Sequence, residues 1–163
     1  MAIAIKKRSA FLIIVFTGFL TGTLDGLAAI IWAHKVPPAV IFDYIASGVF
    51  GKAAYTGGVP MLLWGILFHY TIAFAFTAFF YLVYPQVYKI SQNKYVTGLI
   101  YGMITWIIMN LFVVPLSKIG FKPFLQVWPV IIGLGILILC IGMPVAVIAD
   151  WQMKKKNRKS GVE

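Results

Sequence analysis

Long apolar runs, broken by short polar or glycine-rich stretches, dominate the pattern along this chain. A helix rises 1.5 Å per residue, so crossing a bilayer takes about 20 apolar residues. Four runs meet that length: 10–33, 61–84, 96–116 and 125–151. The last contains Pro144, so a tilt or kink is expected near its end. The segment 37–58, "PPAVIFDYIASGVFGKAAYTGG", is too polar and too rich in glycine to span. Within it Val40, Ile41, Tyr44, Ile45 and Val49 share one helical face, while Asp43, Ser47 and Lys52 fall elsewhere. With the proline pair Pro37–Pro38 to start it, this pattern predicts a short helix lying in the interface. The expected fold is all-α: a polytopic membrane protein with four transmembrane helices and one interfacial helix between the first and second. A single transmembrane domain then covers 10–151, between a basic N-terminus, 1–9, and a basic tail, 152–163.

Composition agrees with that pattern. The 163 residues are 61% hydrophobic and 11% charged, against roughly 25% charged for soluble domains. The net charge of +10 would suit nucleic acid on a folded basic surface, but here the cations are terminal or in loops and nucleic acid is not an expected partner. They report topology instead. Lys6, Lys7, Arg8, Lys89, Lys94, Lys154, Lys155, Lys156, Arg158 and Lys159 fall on one side, and only Lys35, Lys52, Lys118 and Lys122 on the other. Both termini are therefore expected in the cytoplasm of a bacterial inner membrane. Trp32, Trp64 and Trp128 mark the outer ends of their spans, and Tyr81, Tyr84, Tyr95 and Trp151 the inner ends. The bilayer is the main partner, with anionic lipid at the basic termini. The first apolar run is about twice a signal-peptide core and lacks a small-x-small cleavage site, so it is read as an uncleaved span.

The first span carries Asp25. A carboxylate near mid-membrane costs about 2.5–3.5 kcal/mol on insertion scales, so it should face a neighbouring helix. Gly18, Gly22 and Gly26 form a doubled GxxxG on nearly the same face, a surface that admits close helix approach. In the second span Gly65, His69, Ala73 and Thr77 repeat every fourth residue and are the expected partner stripe. Gly98 and Gly102 are packing candidates in the third. Asp25 and His69 each lie roughly 12 Å in from the outer end of their helix, and Asn110 about 9 Å, at 1.5 Å per residue. Asp25, His69, Asn110 and nearby Tyr70 are therefore the expected polar cluster, and Thr105 and Ser117 also lie close to its level in sequence. Two readings stand: a buried polar knot that sets helix register, or a proton or ion site built on a buried carboxylate and an imidazole.

Other chemistry is poorly supported. His34 and His69 are the only histidines, and no ligand pair with i, i+3 or i, i+4 spacing accompanies them, so no metal and no cofactor is expected. There is no serine–histidine–acid order or carboxylate pair, and an enzyme is not expected. Cys140 is the only cysteine and reads as a packing residue. "TGFLTG" at 17–22 parallels "TGLIYG" at 97–102, a hint of two similar hairpins.

From about Ala54 to Pro123 the chain resembles the YagU-like family of small bacterial inner-membrane proteins. The matching residues are Trp64–Gly65 followed by His69, Tyr81 and Pro85, Gly98 and Gly102 with Met109, and Pro115–Leu116 followed by Pro123. The resemblance implies a small polytopic inner-membrane protein associated with acid tolerance and with no established chemical activity. The leading functional expectation is a transport-type protein handling protons, cations or a small solute, with Asp25 and His69 as the sensitive groups. The alternative is a non-catalytic subunit or assembly factor whose glycine-lined faces bind a membrane partner or a second copy of the chain.

Overall fold

The computed structural model describes residues 7–121, 123 and 126–160, with side chains between 11 and 155. The basic N-terminus up to Lys6, Lys122, the expected start of the fourth span at 125 and the last three residues lie outside the described residues. Four helices are long and apolar enough to cross a membrane. Helix α1 is Lys7–Trp32, α2 is Pro38–Phe50 and α3 is Val59–Ser91. Helix α4 runs over Lys94–Leu116, and α5 over Val127–Lys155, remaining helical to Ser160. Gly51–Tyr55 forms a 3-10 turn after α2. The protein is an all-helical, four-span membrane protein.

The long helices alternate in direction. Thr17 and Thr21 of α1 meet Tyr81 and Thr77 of α3. Ser91 at the end of α3 is hydrogen-bonded to Thr97 at the start of α4, at 2.6 Å. Gly98 and Gly102 of α4 lie against Gly142 and Ile138 of α5. The described start of α1 and the end of α5 therefore sit at the same end of the bundle, with α2 at the other. Helix α4 is opened by Asn93, whose side chain accepts from the Tyr95 amide at 2.8 Å. The core lies toward the termini-bearing end, where Phe76, Phe80, Tyr84, Tyr101, Ile141, Val145, Ala146 and Ala149 pack together.

Three features differ from the sequence expectation. Helix α3 does not stop at Tyr84 but continues through Pro85 to Ser91. A proline inside a helix removes one hydrogen bond and usually kinks it. Here the following turns are held by packing, with Tyr84 and Tyr88 rings 5.4 Å apart and Tyr88 set against the core. Second, α4 and α5 are not uniform: each contains a π-helical segment, Met109–Val113 and Ile138–Gly142. Each is followed by one residue and then a proline, Pro115 or Pro144. A proline ring clashes with the carbonyl four residues back, and the wider π turn relieves that crowding one turn upstream. The irregularity expected at Pro144 is thus a π segment before it.

Third, α2, the short helix expected between the first two spans, is also built into the bundle. It packs mainly on α3, and the backbone of Phe42 lies directly against Gly65, where even a methyl group would collide. Ala46 and Ser47 are buried, and Phe50 packs on Trp64 and Phe68 with ring centroids 5.8 and 6.0 Å apart. The predicted apolar face is divided: Val40 stays largely exposed, while Tyr44, Ile45 and Val49 border a partly open cavity between the helices.

Candidate functional site

The seam between α1 and α3 positions the site. His69 lies on the α1 glycines, and its Nε2–H donates to the Gly22 carbonyl at 2.8 Å. That bond assigns the Nε2 proton, since a carbonyl only accepts. A Cβ at Gly26 would stand 3.2 Å from the same nitrogen, so the imidazole occupies space that only glycines leave. Below it Gly22 faces Ala73 and the Tyr70 ring, and Gly18 faces the Phe74 ring. Thr21 joins Thr77 at 3.4 Å. The predicted stripe His69, Ala73, Thr77 therefore does meet the α1 glycines, but Gly65 does not. A four-residue step overshoots the 3.6-residue turn by about 40°, so Gly65 and Thr77 stand about 120° apart. Gly65 is turned to α2 instead.

Between α2, α3, α4 and α5, with α1 contributing Asp25, lies a cavity of about 370 Å³. Its walls are mostly apolar and include Phe68, Phe76, Ile72 and Leu137. Polar groups reach it from four helices: Asp25, Tyr44, His69 and Thr71, and Thr105 with Ser117. No lysine or arginine lines it among the described residues. Both π segments border it, through Met109 and Val113 on one side and Ile141 on the other. π turns recur at functional sites because they displace side chains that a regular helix would stack. Ser117 is committed locally, donating to the Val114 carbonyl at 2.7 Å, and Thr71 donates to Leu67 at 2.7 Å.

Asp25 and His69 are thus brought together at one cavity, within Coulombic range of each other. Among the described residues, Asp25 forms no hydrogen bond or ion pair with another side chain. Thr105 is fully buried, and its Oγ1 makes no hydrogen bond of good geometry, although the Tyr101 hydroxyl lies close enough to interact with it. Tyr101 itself donates to the Phe76 carbonyl. The site therefore combines an uncommitted carboxylate, an imidazole anchored on a helix backbone and a hydroxyl with spare capacity, inside apolar walls.

Asn110 and Tyr70 do not join them. The Asn110 amide donates back to the Trp106 carbonyl of its own helix at 3.0 Å. The inward face of α4 is Gly98, Tyr101, Gly102 and Thr105, and five residues beyond Thr105 is about 140° around. Tyr70 points along the outside of the α1–α3 seam, its hydroxyl 2.9 Å from Thr23 Oγ1 and its ring 5.5 Å from Phe19. Tyr44 and Thr105 enter the site in their place.

A second polar centre lies at the opposite end. Asp150 is 3% exposed and pairs with Lys154 at 3.0 Å and, more loosely, Lys94 at 3.9 Å. Gln152 donates to the Tyr81 hydroxyl at 3.3 Å. The signal for this cluster was an acid followed four residues later by lysine at the end of an apolar run. These groups tie α5 to α3 and α4. Gly142, unremarked in sequence, is the counterpart of Gly98 and Gly102 in the tightest backbone contact of the α4–α5 seam. No family model, curated protein or solved structure matches the chain.

Proposed function

We propose that this chain is a small transport-type protein of a bacterial inner membrane, with both termini cytoplasmic, which handles a small solute at a proton-sensitive Asp25–His69 site. The observation that carries this reading is the meeting of an uncommitted carboxylate and an imidazole, from two helices, at one cavity of about 370 Å³. Ligand sites are commonly concave and mostly apolar, with a few placed polar groups and volumes of about 300–1,000 Å³. A structural polar knot would satisfy its members mutually, whereas Asp25 and Thr105 are left with capacity to spare. The cation distribution at the helix ends supports the orientation. The resemblance to YagU-like proteins links the protein to acid tolerance, and a site whose charge changes with protonation fits that association. The glycine faces at Gly18, Gly22, Gly26, Gly65, Gly98 and Gly102 are filled by this chain's own helices, which favours this reading over one in which they bind a partner.

The test uses purified protein in sealed vesicles with an internal pH dye and an imposed pH gradient. Inorganic cations, organic cations, organic anions and neutral solutes are added in turn. At least one class should drive proton movement through the wild-type protein, and Asp25→Asn and His69→Ala should reduce that movement at least ten-fold while eluting as folded protein. Wild-type rates in both variants, or no difference from empty vesicles with any class, refute the reading.

A further inference from the structure

We infer that the cavity takes a small organic cation: an apolar or aromatic body seated between α2, α3, α4 and α5, with its positive group facing the Asp25 carboxylate. The inference rests on the solute-handling reading above and names its substrate class. Three observations converge on it. The cavity has one acidic side chain and no lysine or arginine in its wall, so an anionic solute would meet the Asp25 carboxylate with only the adjacent His69 imidazole to offset the repulsion. The remaining wall is apolar, with Phe68, Phe76 and Tyr44 supplying aromatic surface. Such surface attracts organic cations through both area burial and the negative face of the ring. Asp25 holds no hydrogen bond or ion pair among the described residues, so its oxygens are available to a ligand.

Size excludes other classes. At about 30 Å³ per water-sized group, a cavity of about 370 Å³ holds roughly a dozen such groups. That is a benzyl- or cyclohexyl-sized body with its charged head, not a sugar oligomer or a lipid. A bare metal cation would need several oxygen ligands converging on it, and no group of metal-binding side chains occurs among the described residues.

Protonation competes with the cation. The titratable groups around Asp25 are His69 from α3, Tyr44 from α2 and Cys140 from α5. From α4 and the residue that ends it, the polar groups at the cavity are the non-titrating hydroxyls of Thr105 and Ser117. A proton on the Asp25 carboxyl removes the charge that would hold a cation, and a proton on the neighbouring imidazole opposes it, so protons and a permanent cation exclude each other at the site. Binding of a permanent cation should therefore strengthen with pH.

The experiment measures equilibrium binding of benzyltrimethylammonium, phenylacetate and 2-phenylethanol to the purified full chain in detergent, at about pH 6 and about pH 8. The quaternary cation should bind at least ten-fold more tightly than either comparator, and more tightly at the higher pH. Asp25→Asn should weaken it at least ten-fold and reduce the pH dependence to the part that His69 contributes. Asp25→Glu, which keeps the charge, should stay within a few-fold of wild type, separating loss of charge from loss of fold. If 2-phenylethanol or phenylacetate binds as tightly as the cation, or Asp25→Asn binds the cation unchanged, the cation assignment is overturned. A neutral or anionic solute that still drives Asp25-dependent proton movement in vesicles would leave the solute-handling reading standing. Absence of both binding and proton movement would remove both.

Discussion

Replacing Gly142 with alanine adds a single methyl group where two helix backbones touch. That Cβ would collide with the carbonyl oxygen of Gly98 and stand 3.0 Å from the Gly102 amide nitrogen. These obstacles are main-chain atoms of α4, which no rotamer change can move aside, so α4 and α5 must separate. Overpacking usually costs about 1–3 kcal/mol, and a backbone obstacle places this site at the upper end, about 2–3 kcal/mol. At 1.36 kcal/mol per factor of ten, the ratio of folded to unfolded protein falls about 30- to 150-fold. Gly135→Ala on the same helix is the control. Nothing lies within 4 Å of its Cβ position, and alanine raises helix propensity by up to about 1 kcal/mol, so stability should be unchanged or higher. Gly18→Ala should fall between them, because its obstacle is the movable Phe74 ring. Equilibrium unfolding in mixed micelles, followed by the fluorescence of the five tryptophans, measures all three. Gly142→Ala as stable as wild type, or less stable by no more than Gly18→Ala, would show that the α4–α5 seam is not set by backbone contact.

Tyr101→Phe removes the hydroxyl that donates to the Phe76 carbonyl from a fully buried side chain, and should cost about 1 kcal/mol in the same unfolding assay. Thr21→Val loses the link to Thr77 and should cost only about 0.6 kcal/mol, the usual size for interhelical hydrogen bonds in membranes. At the Asp150 cluster the order is less intuitive. Asp150→Asn leaves two lysines that can return to water and should cost no more than about 1 kcal/mol, whereas Lys94→Ala with Lys154→Ala strands a buried carboxylate and should cost about 3 kcal/mol; equal losses would mean that Asp150 is not charged in the folded protein.

The four spans were legible because hydropathy acts over some twenty residues, and local packing does not alter it. Asp25 and His69 were legible for a related reason: depth is a count of residues from a helix end, and the count carries over to the fold. What the sequence could not convey was azimuth between helices. Gly65 belongs to the same four-residue series as His69 and Thr77, yet the drift of that series turns it to α2. Asn110 does not line the cavity, and its amide is turned back to the Trp106 carbonyl of its own helix. The π segments were hidden because they depend on how Pro115 and Pro144 crowd the turn before them, and the only sign was an expected kink. Thr105 lies near the level of the site in sequence, and projecting it with Gly98, Tyr101 and Gly102 onto one face gives its inward direction, since all four residues are buried. The cavity itself has no signature in a single chain read linearly, because its walls come from five helices.

The internal use of the glycines leaves a particular exterior. Gly18, Gly22, Gly65, Gly98, Gly102 and Gly142 all meet another element of this chain, and the outward positions hold bulky groups such as Phe11, Phe16, Leu82, Leu139 and Trp151. Two such bodies side by side in a bilayer would touch through large flexible side chains, keeping their axes apart. Acyl chains solvate that rough contour about as well as a neighbour does, so dilution in lipid should disperse the protein readily unless its water-facing ends hold it together.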